Sequence, residues 1–209
     1  MNRHQAVARF AKRQQTKKEQ EVLEVASAYF LSHGYKGTSI NAMARDSGIS
    51  KESIYRYFSS KKELFEAVIA KQLTEYKDKL QDLDFEFDSI PLDESLRRAA
   101  ESIIAAVTAD ATLALRRVIF QETVVSPDIG EFYYEIGPRM AYDNLEKIFA
   151  AHQAETDFDA GKLAHYFVAM ILHRTMIQRE CGVKKALAES EVKDLAATVT
   201  GDFLSAFFQ

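Results

Sequence analysis

The stretch from Thr38 to Phe58, TSINAMARDSGISKESIYRYF, restricts the folds open to this chain more than any other. If Ile40 opens a helix, Met43 and Ala44 return to the same face one turn later, and Asp46-Ser47-Gly48 then breaks the period. Two short helices joined by a tight turn satisfy that pattern. Gly48 supplies the positive φ such a corner needs, and Ala44 is small enough for a second helix to cross close above it. Ile49 and Ile54 close the wedge, and Ser50 is a good N-cap for the second helix. Lys51, Glu52, Ser53, Tyr55 and Arg56 then face outward, long polar side chains of which most can donate hydrogen bonds.

Charge sets the partner such a surface would suit. The net charge of -4 hides an asymmetry: of 27 Lys+Arg and 31 Asp+Glu, residues 1–79 hold 15 and 9, a balance of +6, leaving 12 and 22, a balance of -10, for residues 80–209. A basic head that neutralises phosphates, joined to an acidic body that repels them, suits a protein that reads DNA. With 8 Gly and 3 Pro in 209 residues and long stretches of helical period, the expected fold class is all-α. No segment approaches the roughly 18 to 20 unbroken apolar residues of a membrane span, and the first twenty residues lack the apolar core of a secretory signal, so a soluble cytoplasmic protein is expected. Cys181 is the single cysteine, which rules out an internal disulfide and predicts a buried structural thiol.

The run GISKESIYRYFSSKKELFEAV resembles the helix-turn-helix signature of the tetracycline repressor (TetR) family of bacterial transcriptional regulators. Gly48, Ile49, Ser50, Lys51, Tyr55, Tyr57, Phe58, Ser60, Lys61, Glu63 and Leu64 carry the likeness, which begins near Lys17 and fades after about Gln72. The resemblance implies a three-helix DNA-binding head over residues 17–77, preceded by a basic arm at 1–16 and followed by a helical effector-binding and dimerisation domain at 78–209. It further implies a homodimer on double-stranded DNA with a palindromic operator, a repressor released by a small apolar or aromatic effector, no cofactor and no enzymatic activity. Farther on, PDIGEFYYEIGPR is similar to the ligand domain of the AefR-like subgroup.

Residue roles follow in chain order. Arg3, His4, Arg9, Lys12 and Arg13 make the terminus either a solvated end or an arm along phosphates. Thr16-Lys17-Lys18-Glu19 is a capping box that opens a helix to about Ser32. Thr38 or Ser39 caps the next helix, where a hydroxyl and free N–H groups can hold a phosphate. On the recognition helix Ser50, Lys51, Glu52, Ser53, Tyr55 and Arg56 are expected to face DNA, with Tyr57 and Lys61 on its backbone. Arg56 suits a bidentate contact to guanine, and Glu52 either reads a cytosine or pairs with Arg56 one turn on. Ser60-Lys61-Lys62-Glu63 is a second capping box, opening a long helix towards Leu80. An acidic, aromatic linker then leads to helices at about 93–109, 110–125 and 127–154, the last kinked or broken at Gly137-Pro138.

The two final helices, about 159–181 and from Val192 on, carry broad apolar surface. Leu163, Phe167, Ile171, Leu195, Val199 and Phe203 are expected at a dimer interface, because so much apolar surface needs covering. Arg116, Phe120, Gln121, Tyr133, Tyr134, Tyr142, Tyr166, Met170 and His173 mix aromatic and polar character and are the candidate effector contacts. No nucleophile elbow, phosphate loop or zinc-protease motif occurs, and His165 and His173 are too far apart along a helix to chelate as an i, i+4 pair. The alternative is a helical ligand carrier or enzyme whose basic head is incidental.

Overall fold

The structure, a computed structural model, describes residues 16–81, 90–152 and 156–208. Among the described residues it is all-α, with no strand. The predicted arm at 1–15 and most of the predicted linker, 82–89, lie outside the described residues. The helices are α1 Lys17–Gly37, α2 Ile40–Ser47, α3 Lys51–Tyr57, α4 Lys61–Gln81, α5 Leu92–Thr108, α6 Asp110–Thr123, α7 Pro127–Ile136, α8 Pro138–Ala151, α9 Ala160–Glu180 and α10 Glu189–Phe207. No described helix is long and apolar enough to cross a membrane.

Local chemistry sets most of the boundaries. The Thr16 hydroxyl accepts from the Glu19 N–H at 3.2 Å, and the Ser60 hydroxyl from the Glu63 N–H at 3.1 Å, so both expected caps form. Glu63 completes its box one residue early, accepting from the Ser59 N–H at 2.8 Å. The first helix runs past Ser32 to Gly37, interrupted at Gly34, whose φ is +70°. Gly137-Pro138 breaks the long predicted helix into α7 and α8 rather than kinking it, since proline lacks the N–H and occludes the preceding turn.

The chain forms two compact units. The first joins the residues up to Glu75 with Ala114–Gly137; the second joins Tyr76–Leu113 with Pro138 onward. A single division near residue 77 does not describe this grouping, because the α6–α7 hairpin returns to the first unit. That unit's core is Val22, Leu23 and Phe30 of α1, Met43 of α2, Ile54 of α3 and Leu64, Phe65 and Ile69 of α4, continued by Ile119 and Ile129 from the hairpin.

In the second unit α10 packs chiefly on α5 and α9 chiefly on α8. Phe203 lies 4.9 Å from Phe167 and 5.4 Å from Phe149, ring centre to ring centre, and all three are fully buried. Here the expected dimer surface is corrected. Leu163, Phe167, Ile171, Val199 and Phe203 are buried within one chain, and Leu195 packs against the same core, because α5 and α8 already cover the apolar faces of α9 and α10. Exposed instead are Tyr166, Ala169, Met170, His173 and Ile177 along α9, and Ala197, Thr198, Gly201 and Ser205 along α10. Cys181 is also exposed, just beyond the end of α9, not buried as expected.

Candidate nucleic-acid interface

The corner between α2 and α3 follows the sequence closely. The Ser39 hydroxyl accepts from the Ala42 N–H at 3.5 Å and α2 ends at Gly48, whose φ of +72° and ψ of 5° put it in the left-handed region. Any other residue there carries a steric penalty. Ile49 is buried behind the corner. The Ser50 hydroxyl accepts from the Ser53 N–H at 3.1 Å and donates to the Ser53 hydroxyl at 2.9 Å, which caps α3 and ties down both serines.

Burial fixes the rotation of α3. Ile54 and Phe58 are each 1% exposed, so the helical period turns Lys51, Glu52, Tyr55 and Arg56 to solvent, with Ser53 and Tyr57 half-buried at the flanks. The Lys51 ammonium lies 5.8 Å from the Tyr55 ring centre, a cation–π distance that braces both side chains. Among the described residues no ion pair joins Glu52 to Arg56, so of the two roles open to Glu52 the local pairing is not formed and the guanidinium projects freely.

Three expected contact residues are placed differently. Thr38 is 2% exposed, its hydroxyl donating to the Gly34 carbonyl at 2.7 Å, so it closes the end of α1 while Ser39 stands exposed. Lys61 is half-buried; its ammonium donates to the Tyr35 carbonyl at 2.8 Å and the Thr38 carbonyl at 3.0 Å, and sits 4.5 Å from the Tyr35 ring centre. The Tyr57 hydroxyl accepts from Thr16 at 3.5 Å, linking the end of α3 to the start of α1. Lys61 and Tyr57 therefore brace the head.

A second brace holds α1 to the end of α2. Tyr29 donates to Asp46, which also accepts from Arg45 Nε at 2.9 Å, and His33 stacks on Tyr29 at 4.7 Å. The Tyr29 hydrogen bond, then that of Arg45, holds the Asp46 carboxyl below the usual carboxylate range, and the same bond raises the Tyr29 phenol. Lys36 and Asn41 are also exposed beside the start of α2. With Ile40, Met43 and Ala44 inward, the period already turns Asn41 out, so that signal was present in the sequence.

The candidate effector contacts do not converge within one unit. Arg116, Phe120, Gln121, Tyr133 and Tyr134 belong to the first unit, and Tyr142, Tyr166, Met170 and His173 to the second. Arg116 lies over the Phe120 ring at 5.2 Å, and Phe120 meets Tyr133 edge-on at 6.1 Å. Tyr166, Met170 and His173 are exposed on α9, and Tyr142 stacks on His165 at 4.6 Å.

Comparison with known proteins agrees with this architecture. The family model for bacterial regulatory proteins of the tetR family matches residues 22–68, and the model for the C-terminal domain of AefR-like transcriptional repressors matches residues 94–208. The uncharacterized HTH-type transcriptional regulator YhgD of Bacillus subtilis is 32% identical over 83 residues, 40% of this chain and 42% of that protein. A second uncharacterized HTH-type regulator of B. subtilis, YfiR, is 32% identical over 101 residues, 44% of this chain and 49% of its own length. The chain thus spans under half the length of these curated relatives. A TetR-family regulator from Mesorhizobium loti has the same fold at a TM-score of 0.78 and 24% identity, covering 93% of this chain and 100% of that one. The flavonoid-responsive regulator FrrA follows at a TM-score of 0.73 and 24% identity, covering 92% and 97%. The head, the corner at Gly48 and the AefR-like match over more than half of its length together place this chain in the TetR family of bacterial transcriptional regulators.

Proposed function

We propose that the chain acts as a homodimeric, sequence-specific DNA-binding repressor in the cytoplasm, released from a palindromic operator by a small apolar or aromatic effector. The observation that carries this reading is the outward set of Lys51, Glu52, Tyr55 and Arg56 on a helix whose opposite side is locked into the core by Ile54. Arg56 reads a guanine edge, Glu52 a cytosine, and Lys51, Ser39, Ser50 and Ser53 lie along phosphates. Residues 17–77 form the DNA-binding head in this scheme, 1–16 the arm, and 78–209 the effector-binding and dimerisation part. Two copies meet through the exposed faces of α9 and α10, where Tyr166, Met170 and Ile177 supply apolar area and Ala197 and Gly201 allow close approach. Two-fold symmetry then sets the half-sites about 34–36 Å apart, or a multiple of it.

Two solved structures of this fold guide the choice of effector class: FrrA is described as flavonoid-responsive, and FadR of Bacillus halodurans, with a TM-score of 0.70 at 14% identity, as a fatty acid degradation regulator. Apolar and aromatic compounds are therefore the first to screen. Selection of bound duplexes from a random pool tests the proposal. Enrichment of a two-fold symmetric sequence is expected, and a pool that stays random after repeated rounds would overturn it.

A further inference from the structure

Two consecutive lysines open α4, where the positive end of the helix dipole disfavours cations. Each is held by a group outside that helix, in different directions. Lys61 grips the Tyr35 and Thr38 carbonyls, next to Ser39, the cap of α2. Lys62 donates to the Asp128 carboxylate in the first turn of α7 and lies 3.7 Å from Glu66.

The element on the Asp128 side is stiff. The Val125 and Ser126 N–H groups donate to the Glu122 carbonyl at 2.9 and 2.8 Å, and the Ser126 hydroxyl to its carboxylate at 3.2 Å. A Cβ on Gly130 would stand 2.5 Å from the Thr123 methyl, so α6 and α7 meet closely where only glycine fits. Ile129 and Ile119 are fully buried in the first unit's core. A displacement of α7 is therefore felt at Asp128 as a displacement of the whole hairpin.

We infer that Lys62–Asp128 is a latch, and that Lys61-Lys62 relays the position of the α6–α7 hairpin to the start of α2, and so to the recognition corner. The consequence for DNA rests on the function proposed above; the relay itself does not. Lys62 and Asp128 are 45% and 47% exposed, which makes the pair weak and easily opened, as a switch requires. No intervening side chain has to be assumed: Asp128, Lys62, Lys61 and the Thr38 carbonyl are successive contacts along bonded or hydrogen-bonded atoms.

The test is amide hydrogen exchange on the full chain, without DNA, comparing wild type, Lys62→Met, Asp128→Asn and the double variant. Each single variant is expected to speed exchange about two- to fivefold at Gly130–Phe132 in α7 and at Ala42 and Met43 in α2. The double variant should be no faster than Lys62→Met alone, because that variant already loses the Asp128 contact together with the one to Glu66. Effects that multiply in the double variant would overturn the latch, and faster exchange in α7 with α2 unchanged would overturn the relay. Binding of a random-sequence duplex by the same proteins separates the two proposals: wild type that ignores DNA while the exchange pattern holds would sink the DNA reading and leave the latch standing.

Discussion

Arg56 and Lys61 are five residues apart and do opposite work. Arg56 projects freely into solvent, whereas Lys61 is half-buried and holds the carbonyls at the end of α1. Arg56→Ala should therefore leave folding unchanged, relax base preference and cost about 1–3 kcal/mol on the selected duplex, read by comparing its binding with that of random duplex. An equal loss on both would remove Arg56 from base reading. Lys61→Ala should lower stability by about 1 kcal/mol in urea unfolding, because two carbonyls lose a charged donor at a partly exposed site. The pattern that carried the family resemblance placed Lys61 on DNA, yet a motif match does not say whether a cation faces a phosphate or a helix end. Thr38 illustrates the same limit: two adjacent hydroxyls were legible as cap candidates, but only the fold could show that Ser39 caps α2 and Thr38 closes α1.

At the scale of elements, the corner between α2 and α3 was fully readable, because a lone glycine between two short apolar periods leaves the chain little but a tight turn. Gly48→Ala should cost about 1–2 kcal/mol at a φ of +72°, checked by urea unfolding; an unchanged midpoint would show that the corner relaxes. The last two helices were harder. α9 is apolar over most of its circumference, so periodicity could not say which side meets its own chain. Phe203→Ala should cost about 3–5 kcal/mol as a cavity inside one protomer. Ile177→Glu, on the exposed face, should leave the protomer folded and yield monomers in sedimentation. Intact dimers in that variant would move the interface off α9.

For the whole molecule, the charge and composition change after Leu80 suggests one division of the chain, whereas the structure groups the α6–α7 hairpin with the first unit, which the sequence did not announce. Apolar residues such as Ile119 and Ile129 announce that they will be buried without naming the helix that buries them. The pH dependence also belongs at this scale. Hydrogen bonds from Lys62, from Tyr29 then Arg45, and from Arg97 then Arg98 hold Asp128, Asp46 and Glu94 below the ordinary carboxylate range. Each binds its proton less readily folded than unfolded, so its contribution is complete above about pH 4 to 5 and is lost as pH falls through the folded value. Burial raises Glu66, which works in the opposite sense. Glu189, bonded by Lys193, and Glu191, bonded by the Ala188 N–H and then Lys184, are lowered likewise. Five lowered carboxylates against one raised should make the urea midpoint fall between about pH 5 and pH 3; a flat profile would contradict the assignment.

The central claim is that an exposed cationic helix face neutralises DNA phosphates, and salt dependence reads that directly. Binding to a random duplex across salt concentrations should give a log–log line of clearly negative slope, about -0.9 for each phosphate neutralised. Replacing Lys51 with Ala should make the slope shallower by about one. A slope near zero for the wild-type chain would mean that no phosphates are engaged, and the DNA-reading account would fail.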